Sequence, residues 1–273
     1  PPSKIGLPVG AEISVELALK ALIVKSANDV AVMFAEAIGG SIEGFVSRMN
    51  ATARRLGMKR TQFVNPNGLP ADAQVTTARD LAKLARAIVR DFPQYADLWS
   101  MPAFYIGKQR LSSHNTLLRS FEGADGLKTG FICDSGFNVV ASATREGTKL
   151  MAVVLGEPSS GDRAVRAASL LEHGFQLYGW KTLFETTNID NLPYDKQAKP
   201  VTSIRENVVS WGCNPSKSKA AARARRNKAR NARIKLRRKK AAASADAKLK
   251  NKPPAKTREA KSAGAPLPAK KSN

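Results

Sequence analysis

The sequence predicts an α/β fold of the α+β kind, an antiparallel sheet flanked by helices with an all-helical subdomain. Three observations predict it. Apolar residues recur at helical spacing from Val15 to Val89. The period turns strand-like between Phe104 and Leu155, with short turns. One last helical stripe follows, and then the composition changes to Ala, Lys, Arg and Pro without a stripe.

The elements follow in order. Val15, Ala18, Leu19, Leu22 and Ile23 form one helical face, and Val30, Met33, Phe34, Ala37 and Ile38 form a second. Between them Ser26-Ala27-Asn28-Asp29 is a polar break rich in helix-capping residues. A third helix spans Ile42 to Leu56 and stops at Gly57, the usual left-handed residue after a helix. Asn65 to Pro70 is turn chemistry. Thr77-Ala78-Arg79-Asp80 resembles a capping box with Asp in place of Glu, opening a helix that turns Leu81, Leu84, Ala85, Ile88 and Val89 inward and ends at Phe92-Pro93. Phe104 to Leu111 reads as a hairpin around Gly107, and strands are predicted at 126–132, 136–144 and 148–155, the last two antiparallel across Arg145-Glu146-Gly147. A helix presenting Ala167, Leu170, Leu171 and Phe175 closes the compact part near Trp180. Residues 201–209 read as a weak strand.

Three segments result: a compact domain over 1–180, a linker over 181–212 and a basic, low-complexity, disordered tail over 213–273. With 42% hydrophobic residues the chain can bury a sizeable core. Of the net charge of +23, the stretch from Trp211 supplies 21 Lys and Arg against Asp246 and Glu259, or +19, leaving about +4 for all that precedes it. Such a tail attracts polyanions. Such polyanions are nucleic acid, anionic lipid head groups and acidic envelope polymers; without interleaved aromatics the tail has no means of reading bases, and in an exported protein nucleic acid is the least available of them. No run of 18 apolar residues occurs. Cys133 and Cys213 show neither a disulfide framework nor metal-ligand spacing. His114 and His173 lack partners at metal spacing and read as structural or exposed residues. No metal or other cofactor is expected.

The residues that carry chemistry are few. Lys128-Thr129-Gly130 sets a cation beside a hydroxyl on a strand that its glycine leaves open, an arrangement suited to a carboxylate. Taken alone, Ser26 and Asn28 read as helix caps and Arg163 as a solvated side chain at a helix start. Their joint presence, with Leu56-Gly57-Met58, Thr61 to Leu69, Thr77 to Asp80, Asn115 to Leu118 and Ala152 to Gly156, resembles the serine-type D-alanyl-D-alanine carboxypeptidases among the low-molecular-weight penicillin-binding proteins. The likeness runs from about Ile5 to Tyr178.

That resemblance implies a β-lactamase/DD-peptidase-like fold and removal of the terminal D-alanine from peptidoglycan stem peptides through an acyl-enzyme. It also implies binding of β-lactams and a place in the periplasm or envelope. By the same resemblance Ser26, Asn28 and Lys128 are catalytic. Ser26 relays a proton, Asn28 orients the acyl group and Lys128 keeps the local field positive. Thr129 and Arg163 bind the peptide's carboxylate, and Gly130 leaves room for the substrate to lie alongside. Arg166, one turn beyond Arg163, is an alternative for that role. A β-lactamase on the same fold is a weaker reading.

One part of the family's pattern is missing. Its nucleophile is the serine of a Ser-x-x-Lys motif, and the chain's only such match, Ser216 to Lys219, lies in the basic tail. The opening Pro1-Pro2-Ser3-Lys4 reads as the middle of a loop. The expectation is a carboxypeptidase lacking its N-terminal part, with the nucleophile and a signal peptide upstream of Pro1, and therefore inactive as it stands.

Overall fold

In the computed structural model, residues 3–181 and 188–194, together with Ile204 and Val208, are described. The helical half comprises α1 (Val15–Lys20), which continues as a π-turn over Ala21–Lys25, then α2 (Asn28–Gly39), α3 (Ile42–Arg55) and α4 (Ala78–Asp91). A short helix α5 (Ala96–Ser100) and the hairpin of β1 (Ala103–Ile106) and β2 (Gln109–Ser112) lead into one turn of helix, α6 (Leu117–Ser120). Then come β3 (Ala124–Ile132), β4 (Gly136–Arg145) and β5 (Thr148–Glu157), antiparallel in the order β3-β4-β5, and the long α7 (Ser160–Lys181).

Local chemistry accounts for the boundaries. Ser14, Ser41 and Thr77 cap α1, α3 and α4 by accepting from Leu17 N, Gly44 N and Asp80 N. Gly57 is left-handed where α3 ends. The β4–β5 turn has both Glu146 and Gly147 at positive φ, which matches the twist of a two-residue hairpin.

Two apolar clusters hold these elements. One side of β4 alternates Val139, Ala141 and Ala143 into a layer with Ala167 and Leu171 of α7, and the small residues let helix and sheet approach closely. The other joins Ala18, Ala21, Val24 and Val30 to Phe104 and Leu111 of the β1–β2 hairpin. Gly126 sits where a Cβ would come within 2.8 Å of Ser142 Oγ, so β3 and β4 need glycine there to pair as they do.

Several expectations change in detail. Of the first helical face Ala18 is buried, together with Ala21 and Val24 of the π-turn, while Val15, the first residue of α1, is 66% exposed. Ile38 and Leu170 are also exposed, since the stripes they belong to are narrower than the spacing predicts. Asp80 does not complete a capping box. It is fully buried and accepts from Arg60 N and Thr61 Oγ1, both at 2.8 Å, tying α4 to the loop after α3. Cys133 is half-buried at the end of β3, as its position predicts, but is disulfide-bonded; the other cysteine, Cys213, lies outside the described residues.

Of the segment read as a linker, Asn188 to Tyr194 docks on α4. Arg79 donates to Leu192 O and Pro193 O and stacks on Tyr194, and Arg86 pairs with Asp190. Where a strand was expected over 201–209, Val208 N donates to Ile204 O, a helical i→i+4 bond. The tail over 213–273 lies outside the described residues.

Candidate active site

The break between α1 and α2 is a built turn. After the π-turn, Ser26 adopts a left-handed conformation (φ 59°, ψ 48°), uncommon for a residue with a side chain. A segment close to the start of the chain holds it there. Ser3 Oγ donates to Lys25 O at 2.8 Å, and Ser3 O accepts from both Asn28 N (2.9 Å) and Asn28 Nδ2 (2.8 Å). Two residues on, Ile5 N and Gly6 N donate to the Asp29 carboxylate at 3.3 and 2.8 Å. The sequence placed Asp29 in a helix-capping break and Ser3 in a loop, without joining them. No local pattern signals a clasp made across more than 20 residues.

From the other side comes β3. Lys128, 102 positions later in the chain, places Nζ 2.7 Å from Ser26 Oγ and donates also to Thr129 O at 2.9 Å. Burial of the ammonium, with the Arg163 cation nearby, pulls its pKa down to about 8. A lysine amine poised near neutrality beside a hydroxyl can pass a proton through it.

Thr129 and Gly130 continue β3. Thr129 is half-buried, and Gly130 is exposed with open space where a side chain would stand. Among the described residues β3 pairs with β4 alone, so its other edge is free for an extended peptide.

Arg163 is buried, only 4% exposed, rather than solvated at the helix start. It donates to His114 O at 2.8 Å, Asn138 O at 3.4 Å and Ser160 Oγ at 3.3 Å, and burial lowers its pKa. Arg166, the alternative, is engaged elsewhere with Glu157 at 3.2 Å. His114 is exposed, as one of its two readings had it, yet burial of its ring and the cations Lys25, Lys128 and Arg163 hold its pKa below the usual range. It therefore faces the same positive field as Lys128.

Asn115 and Asp125 fix the strand. Buried Asn115 donates from Nδ2 to Gly126 O at 3.0 Å. Asp125 falls where the β3–β4 register shifts and accepts from Ser142 Oγ and Thr144 Oγ1, both at 2.6 Å, and from Lys149. Burial pushes its carboxyl upward, but these three donors outweigh that and hold it below the ordinary carboxylate value. Thus the structure brings Ser26 and Lys128 into contact and places Arg163 behind the strand. It spends one amide hydrogen of Asn28 on Ser3.

Comparison with known proteins identifies the family and the fold. A family model described as D-alanyl-D-alanine carboxypeptidase matches residues 2–159. The D-alanyl-D-alanine carboxypeptidase DacC of Escherichia coli (strain K12) is 36% identical over 173 residues, covering 63% of this chain and 43% of that protein. Among solved structures, penicillin-binding protein 5 from Haemophilus influenzae superposes with a TM-score of 0.62 at 36% identity, over 64% of this chain and 51% of the other. The ampicillin-bound form of penicillin-binding protein D2 from Listeria monocytogenes gives 0.59 at 31%, over 64% and 72%. The chain spans about half the length of the curated relatives it matches, 43% to 47% for the first three. The mixed fold, the Ser26–Lys128 contact and the match over residues 2–159 lead to one assignment: the chain belongs to the D-alanyl-D-alanine carboxypeptidase family, peptidase S11.

Proposed function

We propose that the protein is a serine-type carboxypeptidase of the bacterial envelope that removes the terminal D-alanine from peptidoglycan stem peptides through an acyl-enzyme. In this reading the chain supplies the substrate-binding half of the site. The observation that carries it is the 2.7 Å contact between Lys128 Nζ and Ser26 Oγ beside an open strand edge. A peptide lies antiparallel along β3. Its carboxylate meets the Thr129 hydroxyl and the positive field of Lys128 and Arg163, which selects a chain terminus over an internal peptide bond. Gly130 leaves room for the peptide backbone. Asn28, steadied by Ser3, turns its amide oxygen toward the substrate amide and orients the acyl group. Ser26, bonded to Lys128, relays a proton to the leaving amine.

The nucleophile of the Ser-x-x-Lys type is not supplied by these residues, and in this proposal the chain by itself binds without acylating. Labelled penicillin and an acetylated D-Ala-D-Ala peptide test this together. Expected are reversible binding of the free-acid peptide, loss of that binding when its C-terminus is amidated, and no covalent labelling. A covalent penicillin adduct overturns the statement about the nucleophile, and equal binding of the amidated peptide overturns the carboxylate site.

The charge of +19 from Trp211 onward favours a second activity, salt-sensitive adhesion to anionic envelope polymers or lipids. Co-sedimentation with anionic vesicles that persists after removal of residues beyond Trp211 refutes it.

A further inference from the structure

We infer that Phe131 and Phe137 form an aromatic wall beside the carboxylate position, so that the site takes peptides whose C-terminal D-residue carries a large apolar or aromatic side chain. This rests on the carboxylate reading of Thr129 proposed above and adds the side chain that goes with it.

Phe131 follows Thr129 by two positions in β3, so the two side chains share one face of the sheet roughly 7 Å apart along the strand. The register confirms the face: Thr129 pairs with Val139, which points into the layer under α7, and Phe131 pairs with Phe137. The two rings stack with centroids 4.1 Å apart at 26°. Phe137 is half-buried with the Arg163 guanidinium 5.9 Å from its centroid, whereas Phe131 is 46% exposed. A phenylalanine ring left half in water, backed by a second ring and standing beside the open strand edge, has one uncovered flank.

The wall is rigid. Just beyond Phe131, Cys133 is disulfide-bonded, Ile204 N donates to Asp134 O at 3.1 Å, and Ile204 Cδ1 lies 2.4 Å from where a Cβ on Gly136 would stand. The stack on Phe137 backs one face of the ring before any ligand arrives, which lowers the entropic cost of using it. With the carboxylate at Thr129, the methyl group of a terminal D-alanine stops short of Phe131. A benzyl side chain on the same carbon reaches it.

The test compares N-acetyl-D-alanyl-D-alanine with N-acetyl-D-alanyl-D-phenylalanine as ligands of the chain, using amide shifts of Gly130 and ring-current shifts of Phe131. The phenylalanine peptide is expected to bind about three- to tenfold more tightly, the range of an added aromatic contact. That ratio falls to about one in Phe131→Ser and is kept in Phe131→Tyr, with unchanged β4–β5 amide signals reporting that both variants fold. Equal affinities in the unaltered chain overturn this inference and leave the carboxylate site standing. Binding of neither peptide overturns both. A concentration-dependent shift of Phe131 without peptide assigns the exposed ring to a contact between two copies of the chain and overturns the inference.

Discussion

Replacing Lys128 by Met keeps the length of the side chain and removes its charge. The folded protein lowers this amine from 10.5 to about 8. About 2.5 units at about 1.36 kcal/mol each place the penalty on the buried ammonium at about 3 kcal/mol. The folded pKa lies below the unfolded one, so the unfolded chain binds more protons between the two values. The penalty is in full force below pH 8 and is relieved as pH rises from about 8 toward 10.5. Lys128→Met escapes the penalty but forfeits the hydrogen bonds to Ser26 Oγ and Thr129 O, about 1 kcal/mol each. The variant is therefore expected to be more stable than the parent by about 1 kcal/mol at pH 7, and less stable by about 2 kcal/mol at pH 10.5. Urea unfolding at the two pH values measures the difference, and NMR titration of the lysine Cε signals measures the amine directly. A Lys128 midpoint at or above 10, or a stability difference that does not change sign with pH, refutes the reasoning.

Other outcomes follow from the same structure. Arg163→Ala strands the carbonyls of His114 and Asn138, so it is expected to destabilise by about 2 to 4 kcal/mol and to raise the Lys128 midpoint toward 10.5, both readable in the experiments just described. The depressed Asp125 carboxyl contributes stability that is present above about pH 4, the unfolded value, and is lost as pH falls through its lower folded pKa. Asp125→Asn should lower the urea midpoint at pH 6, by an amount that shrinks as pH falls through that lower folded pKa. Leu171, 1% exposed between α7 and the sheet, is expected to cost about 2 to 5 kcal/mol on truncation to Ala, read by thermal or urea denaturation.

Much of the fold was legible because its elements keep strict periods. The three sheet strands and α3, α4 and α7 lie close to where the apolar spacing puts them, since each buries one clean face. What escaped was set by contacts that spacing does not encode. Val15 keeps the apolar spacing but stands at the first position of α1, outside the core, and Asp80 is drawn inward by donors from a loop 20 residues earlier. In the site, the resemblance singled out Ser26, Lys128 and Arg163. Ser26 does stand at a helix end, as its cap reading had it, and also meets Lys128, whereas the reading of Arg163 as solvated failed because three acceptors draw it inward. The clasp of Ser3 and Asp29 carried no signal of its own, because a loop serine and a capping aspartate become partners of one turn only once the start of the chain lies against it.

The left-handed backbone at Ser26 imposes two demands on a single position. Its side chain must offer a hydroxyl to Lys128, and its main chain must tolerate positive φ. Threonine meets the first and, being β-branched, is penalised by the second; glycine and asparagine relax the backbone and forfeit the hydroxyl. Serine satisfies both with the least conflict. The substitutions usually counted as conservative disturb one or the other, so the contact with Lys128 and the local fold are written in the same residue.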